Sequence, residues 1–204
     1  VYILGDLFEY WIGDDALPET ARVLAADTSR MATDGLPFYF QHGNRDFLLG
    51  DAYARQAGLQ LLPETVVVDL YGTPTLLLHG DSLCTDDVDY QAIRRQTRDP
   101  AWQAAILAKS IAERIEIARN ARDASAGHKD AASMAIMDVN EAAVVKAYAD
   151  NRVGRMIHGH THRPAVHQHD LGNGESGERI VLADWYSKGC YLEVTPEGAR
   201  SLDI

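Results

Sequence analysis

Three histidines alternate with Gly159 and Thr161 in the stretch Ile157-His158-Gly159-His160-Thr161-His162-Arg163-Pro164. An apolar run that includes Val153, Met156 and Ile157 leads into them and reads as a buried strand. In an extended chain, residues two apart point to the same side, roughly 6–7 Å from one another. Such a row can offer one imidazole to each of two neighbouring metal ions, which lie about 3.5–4 Å apart in two-metal hydrolases. Gly159 removes a side chain where the backbone must turn close to the ions. A histidine-rich surface turn explains the same residues equally well, so the choice rests on what precedes them.

Three earlier apolar runs each end in a candidate ligand. Tyr2-Ile3-Leu4 runs into Gly5-Asp6, Phe38-Tyr39-Phe40 into His42-Gly43-Asn44-Arg45-Asp46, and Thr75-Leu76-Leu77-Leu78 into His79-Gly80-Asp81. Taken singly, an Asp after a strand is a turn former, a Gly-Asn pair a hairpin, and a lone His a packing residue. In open α/β sheets, however, ligands bind beyond the carboxyl ends of strands, and here the layout recurs. A carboxylate able to bridge, a carboxamide oxygen and several imidazoles suit Mn²⁺ or a similar borderline ion; an all-oxygen shell would suit Mg²⁺ or Ca²⁺ better.

The elements that must position these groups follow from periodicity. Residues 16–32 predict an amphipathic helix, and residues 53–56 a short one with Gly58 as its stop signal. Val66-Val67-Val68 and Thr75–Leu78 flank Tyr71-Gly72-Thr73-Pro74, a hairpin signature. From about residue 85 strand signals vanish, and residues 87–98, 101–122 and 138–150 read as helices, with Pro100 opening the second. They predict a helical lid inserted at about residues 86–150, with a loop over 125–133. Strands return at 153–157, 165–169, 179–183, 190–194 and 201–204, with a turn at Gly172-Asn173-Gly174.

Composition bounds the function classes. The chain has 204 residues, 46% hydrophobic and 24% charged, with a net charge of −11. That length suits one domain over 1–204 carrying the lid, and a monomer is expected. The acidic balance argues against non-specific nucleic-acid binding. No apolar run is long enough to span a bilayer, and two cysteines, Cys84 and Cys190, make no disulfide framework, so a reducing compartment is the default. Eight of the nineteen Lys and Arg lie between Arg94 and Lys129, which fits a face turned towards anionic lipid; a solvated helix face accounts for them too.

The ordered series Gly5-Asp6-Leu7-Phe8-Glu9, Gly43-Asn44-Arg45-Asp46, His79-Gly80-Asp81 and Gly159-His160-Thr161-His162 resembles that of the calcineurin-like metallophosphoesterases. Within that superfamily, Tyr10-Trp11-Ile12-Gly13-Asp14-Asp15, Phe47-Leu48-Leu49-Gly50, Ser82-Leu83-Cys84-Thr85-Asp86-Asp87 and Ile136-Met137-Asp138-Val139-Asn140 resemble the UDP-2,3-diacylglucosamine pyrophosphatase family of lipid A synthesis. The resemblance implies a four-layer α/β/β/α sandwich of two mixed sheets. It implies Mn²⁺-dependent hydrolysis of UDP-2,3-diacylglucosamine to UMP and 2,3-diacylglucosamine 1-phosphate (lipid X), by a peripheral protein on the cytoplasmic face of the bacterial inner membrane. It further implies that Asp6 bridges two ions, that Asn44, His79 and His158 bind one of them, and that His160 binds the other. Arg45, Asp46 and His158 are the implied catalytic residues, and Asn44, Arg45, Asp87, Tyr90, Ser125, Lys129 and His158 the implied substrate contacts.

Arg45 stands where the wider superfamily has a histidine. An arginine stays charged and can only hold phosphate oxygens, which points towards a phosphate-monoester leaving group and so to pyrophosphate cleavage. Ala132 stands where the family expects a lysine. The family's opening Asp-x-His motif does not occur before Tyr2, so the expectation is an N-terminal truncation that removes two ligands of one ion. A soluble nucleotide phosphodiesterase or phosphatase of the same superfamily is the alternative, with a metal-free scaffold of the same fold as the other.

Overall fold

The computed structural model describes residues 1–131, 138–172, 174–186 and 188–204, and within 124–131 the backbone alone. Contacts divide the chain into two compact units, Val1–Pro63 with Asp87–Met137 and Glu64–Asp86 with Asp138–Ile204.

In the first unit, β1 (Tyr2–Leu4), β2 (Phe38–Gln41) and β3 (Leu59–Leu61) form a parallel sheet in the order β1-β2-β3. Parallel neighbours need crossovers, supplied by α1 (Glu19–Thr33) and α2 (Asp51–Ala57). Ala21, Ala25 and Ala57 are fully buried beside Phe40 and Tyr53, their small side chains letting helix and sheet approach closely. Burying a ring the size of Phe40 stabilises the unit by about 2–3 kcal/mol. The expected stop at Gly58 holds: its left-handed φ of 66° ends α2. The short strand β3, directly after it, was not foreseen.

The helical segment of this unit comprises α3 (Val88–Thr97), α4 (Pro100–Leu107) and α5 (Ile111–Ala131). A continuous helix over 101–122 was expected, but the chain breaks after Leu107. Ser110 Oγ accepts from the Glu113 backbone N–H at 3.4 Å while the Glu113 carboxylate accepts the Ser110 N–H at 2.9 Å, a reciprocal cap that starts a new helix. The loop expected over 125–133 is also corrected, since α5 runs on to Ala131. Ala124, Ala126 and Ala131 favour helix there; the rest of that expectation, and Ala132 with it, lies outside the described residues.

In the second unit, β4 (Thr65–Leu70) and β5 (Thr73–Leu78) form the expected hairpin around Tyr71-Gly72. With β6 (Arg155–His158), β7 (Ala165–Gly172) and β8 (Glu175–Val181) they make a mixed sheet ordered β4-β5-β6-β8-β7. Helix α6 (Glu141–Asn151), capped by Asn140 on the Ala143 amide, buries Val144 and Tyr148 in a cluster with Leu76, Leu78 and Met156. Gly177 is required at its place in β8, because a Cβ there would meet the Tyr148 ring at 2.9 Å. Strands β9 (Cys190–Thr195) and β10 (Gly198–Asp203) pair antiparallel. One parallel and one mixed sheet, with their helices, make this an α/β protein.

Candidate functional site

The first unit presents its candidate residues at the carboxyl ends of β1 and β2. The chain turns sharply after β1 through Gly5 and Asp6, with φ of 84° and 54°. That left-handed turn brings Asp6 Oδ1 onto the Arg45 backbone N–H at 3.0 Å and Oδ2 to 3.4 Å from Arg45 Nε. Gly43 is required by this approach, since a Cβ there would lie 2.1 Å from Asp6 Oδ1. Asp46 is fully buried, and its carboxylate accepts from the amides of Gly43 at 2.8 Å and Leu7 at 2.7 Å. It clamps the two strand-end turns together, which makes it a positioning group. Asn44 lies half-buried between Gly43 and Arg45.

Arg45 Nη1 reaches both carboxylate oxygens of Glu9 at 3.0 Å, and Arg122 on α5 also binds Glu9 at 2.8 Å. Nothing in the periodicity singled out Glu9 or Arg122. The adjoining Trp11-Ile12-Gly13-Asp14-Asp15 stretch is structural. Asp14 accepts from the amides of Gly50 and Tyr53 at the start of α2. Asp15 takes a two-pronged bond from the buried Arg114 guanidinium, at 2.7 and 2.5 Å. Asp87 caps α3 through the Tyr90 amide at 2.9 Å. Ser125 and Lys129 lie on α5, their side chains outside the described residues.

The second unit presents its candidates at the carboxyl ends of β5 and β6, parallel neighbours in the sheet. The rings of His79 and His160 meet edge to face with centroids 5.0 Å apart. The histidine row is not extended, which corrects the expected same-side geometry. β6 stops at His158, and His160 and His162 take φ of 64° and 55°. The turn is held by Gly159 donating to the His79 carbonyl at 2.9 Å. Gly80 is needed beside it, because a Cβ there would lie 2.6 Å from His158 Nδ1. His162 turns instead towards Asp184, at 3.6 Å.

Burial pushes His158 down to about 4 and His160 well below the usual histidine range, so both rings are neutral near pH 7. A chain of hydrogen bonds fixes which nitrogen of His158 carries its proton. Glu141 accepts from His169 Nδ1 at 2.7 Å, and Arg179 Nε donates to His169 Nε2 at 3.0 Å. Arg179 Nη1 then donates to His158 Nε2 at 3.0 Å, leaving His158 Nδ1–H for the Gly159 carbonyl at 2.8 Å. The lone pair of His158 is therefore on Nε2, with Arg179 against it. Arg179 was missed because a charged residue opening an apolar run reads as a strand edge; its signal was burial, invisible to periodicity.

The first unit thus supplies a carboxylate, a carboxamide and a guanidinium, and the second supplies neutral imidazoles. No protein-family model matches the chain. UDP-2,3-diacylglucosamine hydrolase of Stenotrophomonas maltophilia strain K279a is 50% identical over 211 residues, covering 100% of this chain and 84% of the relative. The protein of that name in Xanthomonas campestris pv. campestris is 48% identical over 205 residues, covering 97% and 83%. The one in Xanthomonas oryzae pv. oryzae is 47% identical over 205 residues, again covering 97% and 83%. At such identity over nearly its whole length, the chain belongs to the UDP-2,3-diacylglucosamine hydrolase family.

Proposed function

We propose that this chain hydrolyses the pyrophosphate bond of UDP-2,3-diacylglucosamine to UMP and 2,3-diacylglucosamine 1-phosphate (lipid X), in lipid A biosynthesis. The observation that carries this reading is identity of 47–50% to proteins of that name across nearly the whole chain. The turns that hold Asp6 against Arg45 and His79 against His160 support it.

The donor set fits a divalent metal, and its mixture of imidazole and oxygen favours Mn²⁺. Asp6 and Asn44 of the first unit and His79, His158 and His160 of the second are the residues proposed to hold it. With its Nδ1–H committed to the Gly159 carbonyl, His158 would offer Nε2, and Arg179 would have to release that nitrogen for an ion to take it. When bound, such ions polarise phosphoryl oxygens and lower the pKa of a bound water.

Arg45 is proposed to grip the phosphoryl oxygens. Its planar fork stays charged throughout, so it neutralises developing negative charge without exchanging a proton. A phosphate that takes the outer N–H groups must displace Glu9 from them, while Asp6 keeps the inner edge of the guanidinium in place. Asp46 acts by fixing the Asp6 and Asn44 turns. Asp87, Tyr90, Ser125 and Lys129 are assigned to the sugar and phosphate of the lipid product. Water attack at the α-phosphorus places the new oxygen in UMP and releases the sugar 1-phosphate with the bridging oxygen.

Among the described residues, no helix is long and apolar enough to cross a membrane. Leu107, Ile111 and Ile115 are exposed, whereas Trp102 and Ile106 pack into the core. Those exposed side chains, with the exposed Lys109, Arg119 and Arg122 in the same segment, support peripheral contact with anionic lipid on the cytoplasmic face. Assay with Mn²⁺ and UDP-2,3-diacylglucosamine in ¹⁸O-water tests the reaction. Label in UMP is expected; absence of turnover, or label in lipid X alone, would overturn it.

A further inference from the structure

A cavity of about 210 Å³ opens in the second unit beside the histidine row, lined by Asp138, Thr161, Arg163, His167 and Arg179 among others. Of these five residues, Arg179 touches the site described above through His158, and the other four are given no role in the chemistry proposed there. Thr161 and Arg163 follow His160 by one and three residues, and Arg179 donates to His158. The cavity therefore shares a wall with the histidine turn. Its volume is below the ~300–1,000 Å³ of pockets for drug-sized ligands. It has room for one planar ring and none for an acyl chain.

The polar lining has unused capacity of a particular kind. Thr161 Oγ1 is buried with no hydrogen-bond partner among the described residues, a state that is unfavourable unless a ligand or water completes it. Arg179 is buried, and its bonds to His158 and His169 use two of a guanidinium's five N–H donors. Asp138 accepts from the Val139 amide at 2.8 Å and pairs with Arg163, which occupies two of a carboxylate's roughly four acceptor positions. Burial pushes the His167 imidazole down from its ordinary value, so a neutral flat ring completes the lining. Donors, an acceptor and a flat ring around a small cavity match a heterocycle, which offers both acceptors and a donor, more fully than a bare anion, which has no donor for the Asp138 carboxylate.

We propose that this cavity is a pyrimidine subsite that takes the uracil ring of the substrate's uridine. The proposal rests on the function proposed above, since uridine is the fragment of UDP-2,3-diacylglucosamine small and planar enough to enter. Uracil presents acceptor, donor and acceptor at O2, N3–H and O4. The arginines and Thr161 can donate to the two oxygens, and Asp138 can accept from N3–H. Cytosine has a lone pair at N3, which would face the same carboxylate.

The test uses nucleosides, which lack the scissile bond and carry no phosphate for the metal ligands. Uridine, cytidine and inorganic phosphate are titrated separately into the chelator-treated, metal-free protein, and backbone amide shifts are followed by NMR. Uridine should shift the amides of Thr161, Arg163 and His167 and bind about tenfold more tightly than cytidine, since a mispaired buried polar group weakens binding on that scale. Asp138→Asn, which can donate as well as accept, should erase the preference. Equal binding of both nucleosides, shifts elsewhere, or the same shifts from phosphate but not uridine would overturn the proposal. The wild-type comparison needs no variant to fold. Turnover of the lipid substrate without a uridine preference would remove the subsite and leave the hydrolase standing. Uridine preference without turnover would do the reverse.

Discussion

Glu9 holds Arg45 through both of its carboxylate oxygens at 3.0 Å while also binding Arg122. The group assigned to phosphate is thus already matched to a carboxylate, a planar anion of similar bite. An arginine placed this way is oriented before substrate arrives, and exchanges one oxygen pair for another when it does.

Arg45→Lys keeps the charge and loses the fork, so kcat/KM for UDP-2,3-diacylglucosamine should fall about 10–100-fold, and further in Arg45→Ala. Melting temperature should barely move. In the Arg45→Ala background, Glu9→Gln should have little additional effect on kcat/KM, because the partner it served is gone. A Glu9→Gln loss as large in that background as in wild type would separate the two residues.

Asp46 joins two turns through the backbone amides of Leu7 and Gly43, so its role can be told from that of a reacting group. Asp46→Asn turns an acceptor pair into one acceptor and one donor, and sets an NH₂ against a backbone N–H. The expected destabilisation is about 1–3 kcal/mol by urea denaturation, with activity falling alongside it. Gly43→Ala meets Asp6 itself and should abolish activity outright. Normal stability in Asp46→Asn with lost activity would assign it to the chemistry instead.

These relationships were unequally legible in the sequence. Asp6, Asn44, His79 and His158 stood out because each follows an apolar run at a glycine-marked strand end, and backbone geometry alone predicts that arrangement. The left-handed turns at His160 and His162 were not visible, since φ above zero at a residue other than glycine leaves no periodic trace. Ser110 and Glu113 carried a cap signature that was outweighed by the apolar spacing running through it. Arg179 and Glu9 act over long sequence separations, and only the fold brings them to His158 and Arg45.

Arg114 is 3% exposed and binds Asp15 and the Ile12 carbonyl, with Gly13 bare of a side chain beneath it. The Arg114 hydrogen bond holds the Asp15 carboxyl below its ordinary value. A group depressed on folding contributes stability that is present above its unfolded pKa, near 4, and is lost as pH falls through the folded value. Asp15→Asn should therefore be less stable at pH 7, by about 1–2 kcal/mol given the exposure of Asp15. The deficit should shrink as wild type is taken below pH 4. Urea titrations of both proteins at pH 7 and pH 3 check this, and a constant gap would exclude the pair as its source.

Metal binding can be read without any turnover. A ligand that binds only the folded protein stabilises it by about 2.7 kcal/mol at a hundredfold excess over its Kd. For a chain of this length that is a rise of roughly 5–10 °C in melting temperature. Mn²⁺ should give such a rise, and Ca²⁺ a smaller one, because neutral imidazoles such as His158 and His160 favour the softer ion. Asp6→Ala, His79→Ala and His160→Ala should each remove most of the Mn²⁺ increment, whatever they do to the metal-free melting point. His167→Ala should keep it, since that ring lines the separate cavity of the second unit. Comparing melting curves with and without ion in each variant isolates the increment from any general loss of stability. An Mn²⁺ increment of wild-type size in all three ligand variants would take the metal away from these residues.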